Sequence, residues 1–190
     1  ILSKFGDHLP LYRQSEIYAR QDVEISRSTM AGWVGSASEL LSPLVDAIQK
    51  HVLAGPKLHA DDTPLPVLAP GNGKTRTGRL WTYVRDDRPA AIDTPPAVWF
   101  AYSEDRKGEH PRQHLSTFQG VLQADAYAGF QHLYAKGIYE AACWAHARRK
   151  FHEIHVVHAS PITTEALARI GALHAMQEKT GGKPADLSLS

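Results

Sequence analysis

The sequence predicts an α/β fold, a mixed sheet flanked by helices and preceded by a small helical region. Three observations predict it. Apolar residues recur at helical spacing over residues 10–55 with no strand-like alternation. From Lys57 the pattern changes to short alternating or fully apolar runs punctuated by Pro and Gly. Helical periodicity then returns between later strands, near Pro111, Phe130 and Ala145.

In the first region Leu41, Leu44, Val45, Ile48 and Val52 form one stripe. Its start is ambiguous. Ser36-Ala37-Ser38-Glu39 fits a capping box, and Ser42-Pro43 fits an N-cap followed by proline at the first helical position, so a break or kink is expected near Pro43. Before it, residues 12–20 and 27–34 read as two short helices joined by a turn over 21–25, with Ser26 capping the second and Trp33 packing inward. That is a helix-turn-helix-like arrangement. An ordinary helical hairpin is the alternative, since the turn lacks glycine and the second helix carries only Arg27 as a cation.

Gly55-Pro56 marks the expected boundary, giving a helical region 1–55 that is a candidate for DNA binding, a core over 56–180, and a turn-rich tail over 181–190 expected to be disordered. Within the core, residues 58–68 read as the first strand and 79–85 as the second, with Trp81 and Tyr83 on one face and Leu80, Thr82 and Val84 on the other. Residues 97–102 make a third, more fully apolar strand. A helix is expected over 111–118, a fourth strand over 120–124, and a short helix over 130–135. A strand over 139–143, a helix from Ala145, and a last helix opening at Ser160-Pro161 complete the pattern. The last helix would set Ile162, Ala166, Ile170 and Leu173 on one side. Three sequential strands, a helix, a fourth strand and then helix-strand-helix is the order of a ribonuclease H-like core.

At 190 residues, 43% of them hydrophobic, the chain suffices for one substantial core with a small appendage. Lysine and arginine total 21 against 20 acidic residues, so the net charge of +1 announces no nucleic-acid binder, and any DNA affinity must come from local clustering. The one cysteine, Cys143, excludes an internal disulfide framework and suits a reducing cytosol. No run approaches the roughly 18 apolar residues of a membrane span, and Ile1 to Pro10 lack the pattern of a signal peptide. The chain begins without methionine, which leaves room for an upstream part.

Asp61 and Asp125 each follow a short apolar run, in Leu58-His59-Ala60-Asp61 and Val121-Leu122-Gln123-Ala124-Asp125. In a ribonuclease H-like core the first and fourth strands are neighbours, so both carboxylates would open into one cleft. Two converging carboxylates repel unless a divalent ion lies between them. Hard oxygen ligands point to Mg²⁺, with Mn²⁺ possible, and to two-ion phosphodiester chemistry. Singly, an aspartate in such a place is more often a turn former or helix cap than a metal ligand, and it is the pair with the strand order that supports the metal reading.

Around that pair, Arg148-Arg149-Lys150 on the helix after the fifth strand, with His146 beside them, would contact DNA phosphates without reading sequence. Lys74, Arg76 and Arg79, at and after the turn-rich tip Pro70 to Gly78, fit backbone contact with nucleic acid, as an exposed turn would also. That tip is not a phosphate-binding P-loop, because Leu68 stands where the motif needs glycine. Cys143-x-x-His146 with His152 and His155 matches no standard zinc set.

Several blocks together resemble the transposases of the insertion sequence 66 type. They are His59-Ala60-Asp61-Asp62-Thr63-Pro64, Gly73-Lys74-Thr75-Arg76-Thr77-Gly78-Arg79-Leu80-Trp81 and Tyr102-Ser103-Glu104-Asp105-Arg106-Lys107-Gly108-Glu109-His110-Pro111. Leu122-Gln123-Ala124-Asp125-Ala126-Tyr127-Ala128-Gly129-Phe130, Cys143-Trp144-Ala145-His146-Ala147-Arg148-Arg149-Lys150-Phe151 and His8-Leu9-Pro10-Leu11-Tyr12-Arg13-Gln14 extend the match. The resemblance implies a DDE transposase with a ribonuclease H-like catalytic domain and two divalent metals, cleaving and transferring DNA strands at element ends and target. It also implies a homo-oligomeric active complex and a bacterial cytoplasmic location. Asp61 and Asp125 fall on the family's first and second acids, as catalytic and metal-holding residues, and Asp62 stands where the family often has glutamate. Arg27, in the helix-turn-helix-like stretch, joins the expected DNA contacts.

One departure is visible. The family's third acid is a glutamate in an Asn-Asn-x-x-Glu context, and Asn72 is the one asparagine here, so the chain reads as a truncated or frameshifted copy. With two of three carboxylates, catalysis would be lost or impaired. The alternative function is a catalytically inactive DNA-binding or regulatory fragment.

Overall fold

A computed structural model describes residues 1–69, 71, 73–125, 127–134 and 137–180, with side chains up to 176. The expected disordered tail, and the end of the short helix expected over 130–135, lie outside the described residues. The chain divides into two compact units, Ile1–Ala47 and Ile48–Ser190.

The first unit holds α1 (Leu2–Phe5), α2 (Leu11–Ala19) and the greater part of α3 (Arg27–Leu53), whose end from Ile48 belongs to the second. Ser26 caps α3 as expected, its Oγ accepting the Thr29 N–H at 3.0 Å. The second helix of the expected helix-turn-helix does not stop at Val34 but continues for 27 residues in all, through Pro43. Nothing between Gly35 and Ser42 ends a helix, and the proline costs one backbone hydrogen bond while the Ser42 hydroxyl donates to the Ser38 carbonyl at 3.4 Å. Trp33, expected inward, is 58% exposed, and Leu40, Leu41 and Leu44 are exposed with it. Two short helices offer too little apolar surface to cover so long a stripe.

The second unit is built on a five-stranded sheet of β1 (Lys57–Val67), β2 (Arg76–Arg85), β3 (Ala97–Ser103), β4 (Gly120–Ala124) and β5 (Ile138–Ala142). Their spatial order is β3-β2-β1-β4-β5. The first three strands pair antiparallel, whereas β1–β4 and β4–β5 are parallel. This is the mixed sheet of a ribonuclease H-like α/β fold, with α4 (Glu109–His114) leading into β4 and α5 (Trp144–Val157) and α6 (Pro161–Thr180) following β5. β2 begins three residues earlier than its alternation suggested, because Arg76 pairs with Val67 at the far end of β1. α4 is shorter than expected, ending at His114.

Strand parity decides the core. Leu58 and Ala60 of β1, Trp81 and Tyr83 of β2, Trp99 of β3, and Leu122 and Ala124 of β4 pack against Leu115, Phe118, Phe130 and Leu133. Val52, in the last turn of α3, joins them fully buried. Gly120 opens β4 at φ +142°, and a Cβ there would run into the Pro56 carbonyl, which accepts the Val121 N–H at 2.9 Å. In α6 the buried positions are Thr163 and Ile170, while Ile162 and Leu173 are exposed. The face is rotated from the apolar count because the Thr163 hydroxyl is held by His155 Nδ1 at 2.8 Å and by Ser160.

His114 closes the core beside β2. Its Nδ1 meets the Tyr83 hydroxyl at 3.0 Å, and its ring stands edge-on to Trp81, Tyr83 and Trp99. Burial, then His110, pushes its pKa down from 6.5 to about 4. Since the folded value lies below the unfolded one, this stabilisation is complete above pH 6.5 and is lost as pH falls toward about 4. The thermal midpoint, followed by circular dichroism, should decline across that window, and His114→Gln should flatten part of the decline.

Candidate active site

β1 and β4 run parallel with His59 opposite Gln123 as their last registered pair, and Asp61 and Asp125 each stand two residues beyond it. Asp61 is still inside β1, opposite Thr82 of β2, whereas Asp125 is the first residue past the end of β4. Asp125 is half-buried and begins a turn, its Oδ1 accepting the Tyr127 N–H at 3.2 Å. Asp61 is exposed, accepts the backbone N–H of Asp62 at 2.9 Å, and enters no ion pair among the described residues.

Asp62, one residue on, turns to the opposite face, that of Leu58 and Ala60. Its side chain is 1% exposed and saturated by two guanidinium groups. Arg79 donates Nη1 to Oδ2 at 3.0 Å. Arg106 donates Nε to both oxygens at 3.0 Å and Nη2 to Oδ1 at 2.7 Å. The same Arg106 Nη2 reaches Asp125 Oδ2 at 3.3 Å. So the structure joins Asp62 to Asp125 through one cation, and no shared partner joins Asp61 to Asp125 among the described residues. Asp62 is a structural anion with no capacity left for a metal. Asp61 and Asp125 keep lone pairs free, and hard oxygen donors of this kind fit a divalent ion.

The turn after β3 delivers Arg106. Trp81 Nε1 donates to the buried Ser103 Oγ at 2.8 Å, and that hydroxyl donates onward to the Asp105 carbonyl. Arg106 then lies over the Tyr127 ring, 4.0 Å from its centroid. Its pKa is raised, chiefly by the hydrogen bonds to Asp62. Sequence reading assigned Arg106 and Tyr127 no role. The available signal was parity: Arg79 shares the face of Trp81 and Tyr83, and a cation on a buried face requires a buried carboxylate.

Asp125 opens on a cleft of about 650 Å³, lined also by Arg106, Tyr127, Glu140, Cys143, His146, Arg149, Lys150 and Glu153. Three of the expected DNA contacts, His146, Arg149 and Lys150, therefore face the cleft from α5, with Lys150 paired to Glu153 at 3.2 Å. Arg148 instead lines a shallower groove with His152 and His174. Lys74 is exposed near the β1–β2 tip, and Arg76 is paired with Glu104 at 3.0 Å. The charge of Arg79 is committed to Asp62. Arg27 lies in the first unit, at the start of α3, beside Glu16 and Glu24.

Asp105, Glu109 and His110 form a second group with oxygen and nitrogen donors within 4.8 Å of one another. Lys107 Nζ already sits 2.9 Å from Asp105, and its hydrogen bond holds that carboxyl well below the usual carboxylate range. An internal ammonium meets this cluster's charge. Among the described residues no helix is long and apolar enough to cross a membrane.

Residues 1–188 match the family model described as Transposase IS66 family. Three proteins of Sinorhizobium fredii (strain NBRC 101917 / NGR234) are similar. The uncharacterized protein y4qI is 41% identical over 97% of this chain and 36% of its own length. The uncharacterized protein y4hP is 40% identical over 100% and 37%. The uncharacterized protein y4jD is 33% identical over 98% and 38%. The chain thus spans less than two fifths of the length of these relatives.

Proposed function

The chain belongs to the IS66 family of transposases, and from that premise we propose that it carries the first two acids of a metal-dependent site that cuts and joins DNA strands. The observation that supports the reading is the β1–β4 register, in which Asp61 and Asp125 each stand two residues past the last registered pair, with Asp125 lining a cation-lined cleft. In this reading both carboxylates hold divalent metal, with Mg²⁺ the natural ion and Mn²⁺ a substitute. The metal would supply an activated attacking oxygen and charge neutralisation at the leaving oxygen.

The protein's own part is to bind and orient. Arg149 and Lys150 seat the sugar-phosphate backbone along α5, where His146 lines the same cleft. Arg148, Lys74 and Arg76 lie outside the cleft lining, available to longer DNA, and Arg27 is a further contact in the first unit. Element ends and target are the substrates, a homo-oligomer the active assembly, and the bacterial cytoplasm the setting. DNA binding without turnover, by a regulatory fragment, is the second reading, which the cations Arg149 and Lys150 lining the cleft would serve equally.

The deciding experiment is Mg²⁺-dependent nicking of an element-end duplex by y4qI carrying this chain in place of its own matching segment. Undiminished nicking after Asp125→Asn would sink the catalytic reading. For the DNA contacts, Arg149→Gln combined with Lys150→Gln should reduce the slope of log affinity against log salt by about 2, read by fluorescence anisotropy. An unchanged slope would remove α5 from the interface.

A further inference from the structure

Arg106 makes two kinds of contact with the acidic pair. Three hydrogen bonds of 2.7–3.0 Å fix its fork on the buried Asp62, whereas a single longer one, 3.3 Å, touches Asp125. The fork is anchored where it cannot leave cheaply, because a buried carboxylate without its cation is costly. Nη2 keeps one N–H on Asp62 Oδ1 at 2.7 Å, so what can let go, on a side chain 38% exposed, is its second N–H, toward Asp125. Tyr127 backs the guanidinium plane at 4.0 Å and limits where it swings.

Resting on the reading of Asp125 as a metal ligand, we propose that Arg106 is a resident cation of the site, a positioning residue that holds Asp125 until metal and DNA arrive together. Asp62 and Asp125 carry two negative charges, and Arg79 and Arg106 carry two positive ones. These four charges cancel before any ion enters, which leaves Asp61 without a counter-charge of its own. A divalent ion taking Asp125 must break the Nη2 contact and sits beside a guanidinium that Asp62 keeps in place, so in free protein it binds weakly. A DNA phosphate entering the cleft reverses that balance, because the released Nη2 donates to a phosphate oxygen and the new anion offsets both cations. Metal and DNA therefore tighten each other, and the coupling runs through one side chain.

The test measures Mn²⁺ affinity of the chain by electron paramagnetic resonance, with and without a short DNA duplex. In the unaltered chain the duplex should tighten Mn²⁺ by about five- to tenfold. Arg106→Gln should bind Mn²⁺ more tightly than the unaltered chain when no DNA is present, and the duplex should then add little. Affinity unchanged or weakened by Arg106→Gln overturns the proposal, provided Asp125→Asn abolishes the binding. If Asp125→Asn leaves Mn²⁺ binding intact, the metal-ligand reading itself fails, and this inference with it. Should Arg106→Gln not fold, Arg106→Lys carries the test. An ammonium serves one carboxylate rather than two and stays with buried Asp62, so Asp125 is freed and Mn²⁺ tightens; no change overturns the proposal.

Discussion

Asp62→Leu should lower stability by about 3 kcal/mol, although the residue lies one position from an expected catalytic acid. Asp62 accepts four hydrogen bonds from two guanidinium groups while its side chain is 1% exposed. Removing it strands Arg79, whose side chain is 23% exposed and which has no other carboxylate partner among the described residues. Arg106 can turn toward Asp125 and water, which keeps the loss toward the lower end of what breaking a buried pair costs. For a chain of this size the thermal midpoint should fall by roughly 6–12 °C. Asp62→Leu combined with Arg79→Met should recover part of the loss, since a buried ion pair replaced on both sides by apolar groups is often neutral. A midpoint within about 1 °C of the unaltered protein after Asp62→Leu would mean the cluster is worth nothing to the fold.

Asp61→Asn should do the reverse. It leaves stability within about 0.5 kcal/mol, because the side chain is exposed and joins no ion pair among the described residues. Nicking by y4qI carrying the chain should fall by about 10²–10³-fold, equivalent to roughly 3–4 kcal/mol of transition-state stabilisation, and Asp125→Asn should match it. Asp62→Asn, assayed at a temperature where it remains folded, should reduce nicking by no more than about tenfold, through the loosened Arg106. If instead Asp62→Asn abolished nicking and Asp61→Asn spared it, the two neighbours would exchange roles. Adjacent residues on one strand face opposite ways, so the comparison separates chemistry from folding at a spacing of one peptide unit.

Much of the sheet could be read before any coordinates because its signals are local. Leu58, Ala60, Trp81, Tyr83 and Leu122 alternate with polar or half-buried neighbours, and the structure buries those positions. The order of strands and helices narrowed the topology to one in which the first and fourth strands touch, as they do. α3 was harder: Pro43 and the serines around it fit a helix start as well as a helix interior, and only the continuing backbone chose. On α6 apolar spacing gave one side of the helix but not its burial, since Thr163 is buried by its own hydroxyl partners while Ile162 and Leu173 are exposed. At the site, position along the strands was legible but pairing was not. That Arg106 would span Asp62 and Asp125 depends on a turn held by Trp81, Ser103 and Asp105, three residues from separate stretches of chain.

β1 outruns β4. β4 leaves it after His59, so the stretch from Ala60 to Val67 is matched by β2 alone. A bare strand margin of this sort invites a foreign chain to add itself, the route by which sheets stack into insoluble fibrils. Pro64 and Pro66 both fall there, and each removes an amide hydrogen that such an addition would need. The ribbon can therefore reach outward from the body without becoming sticky.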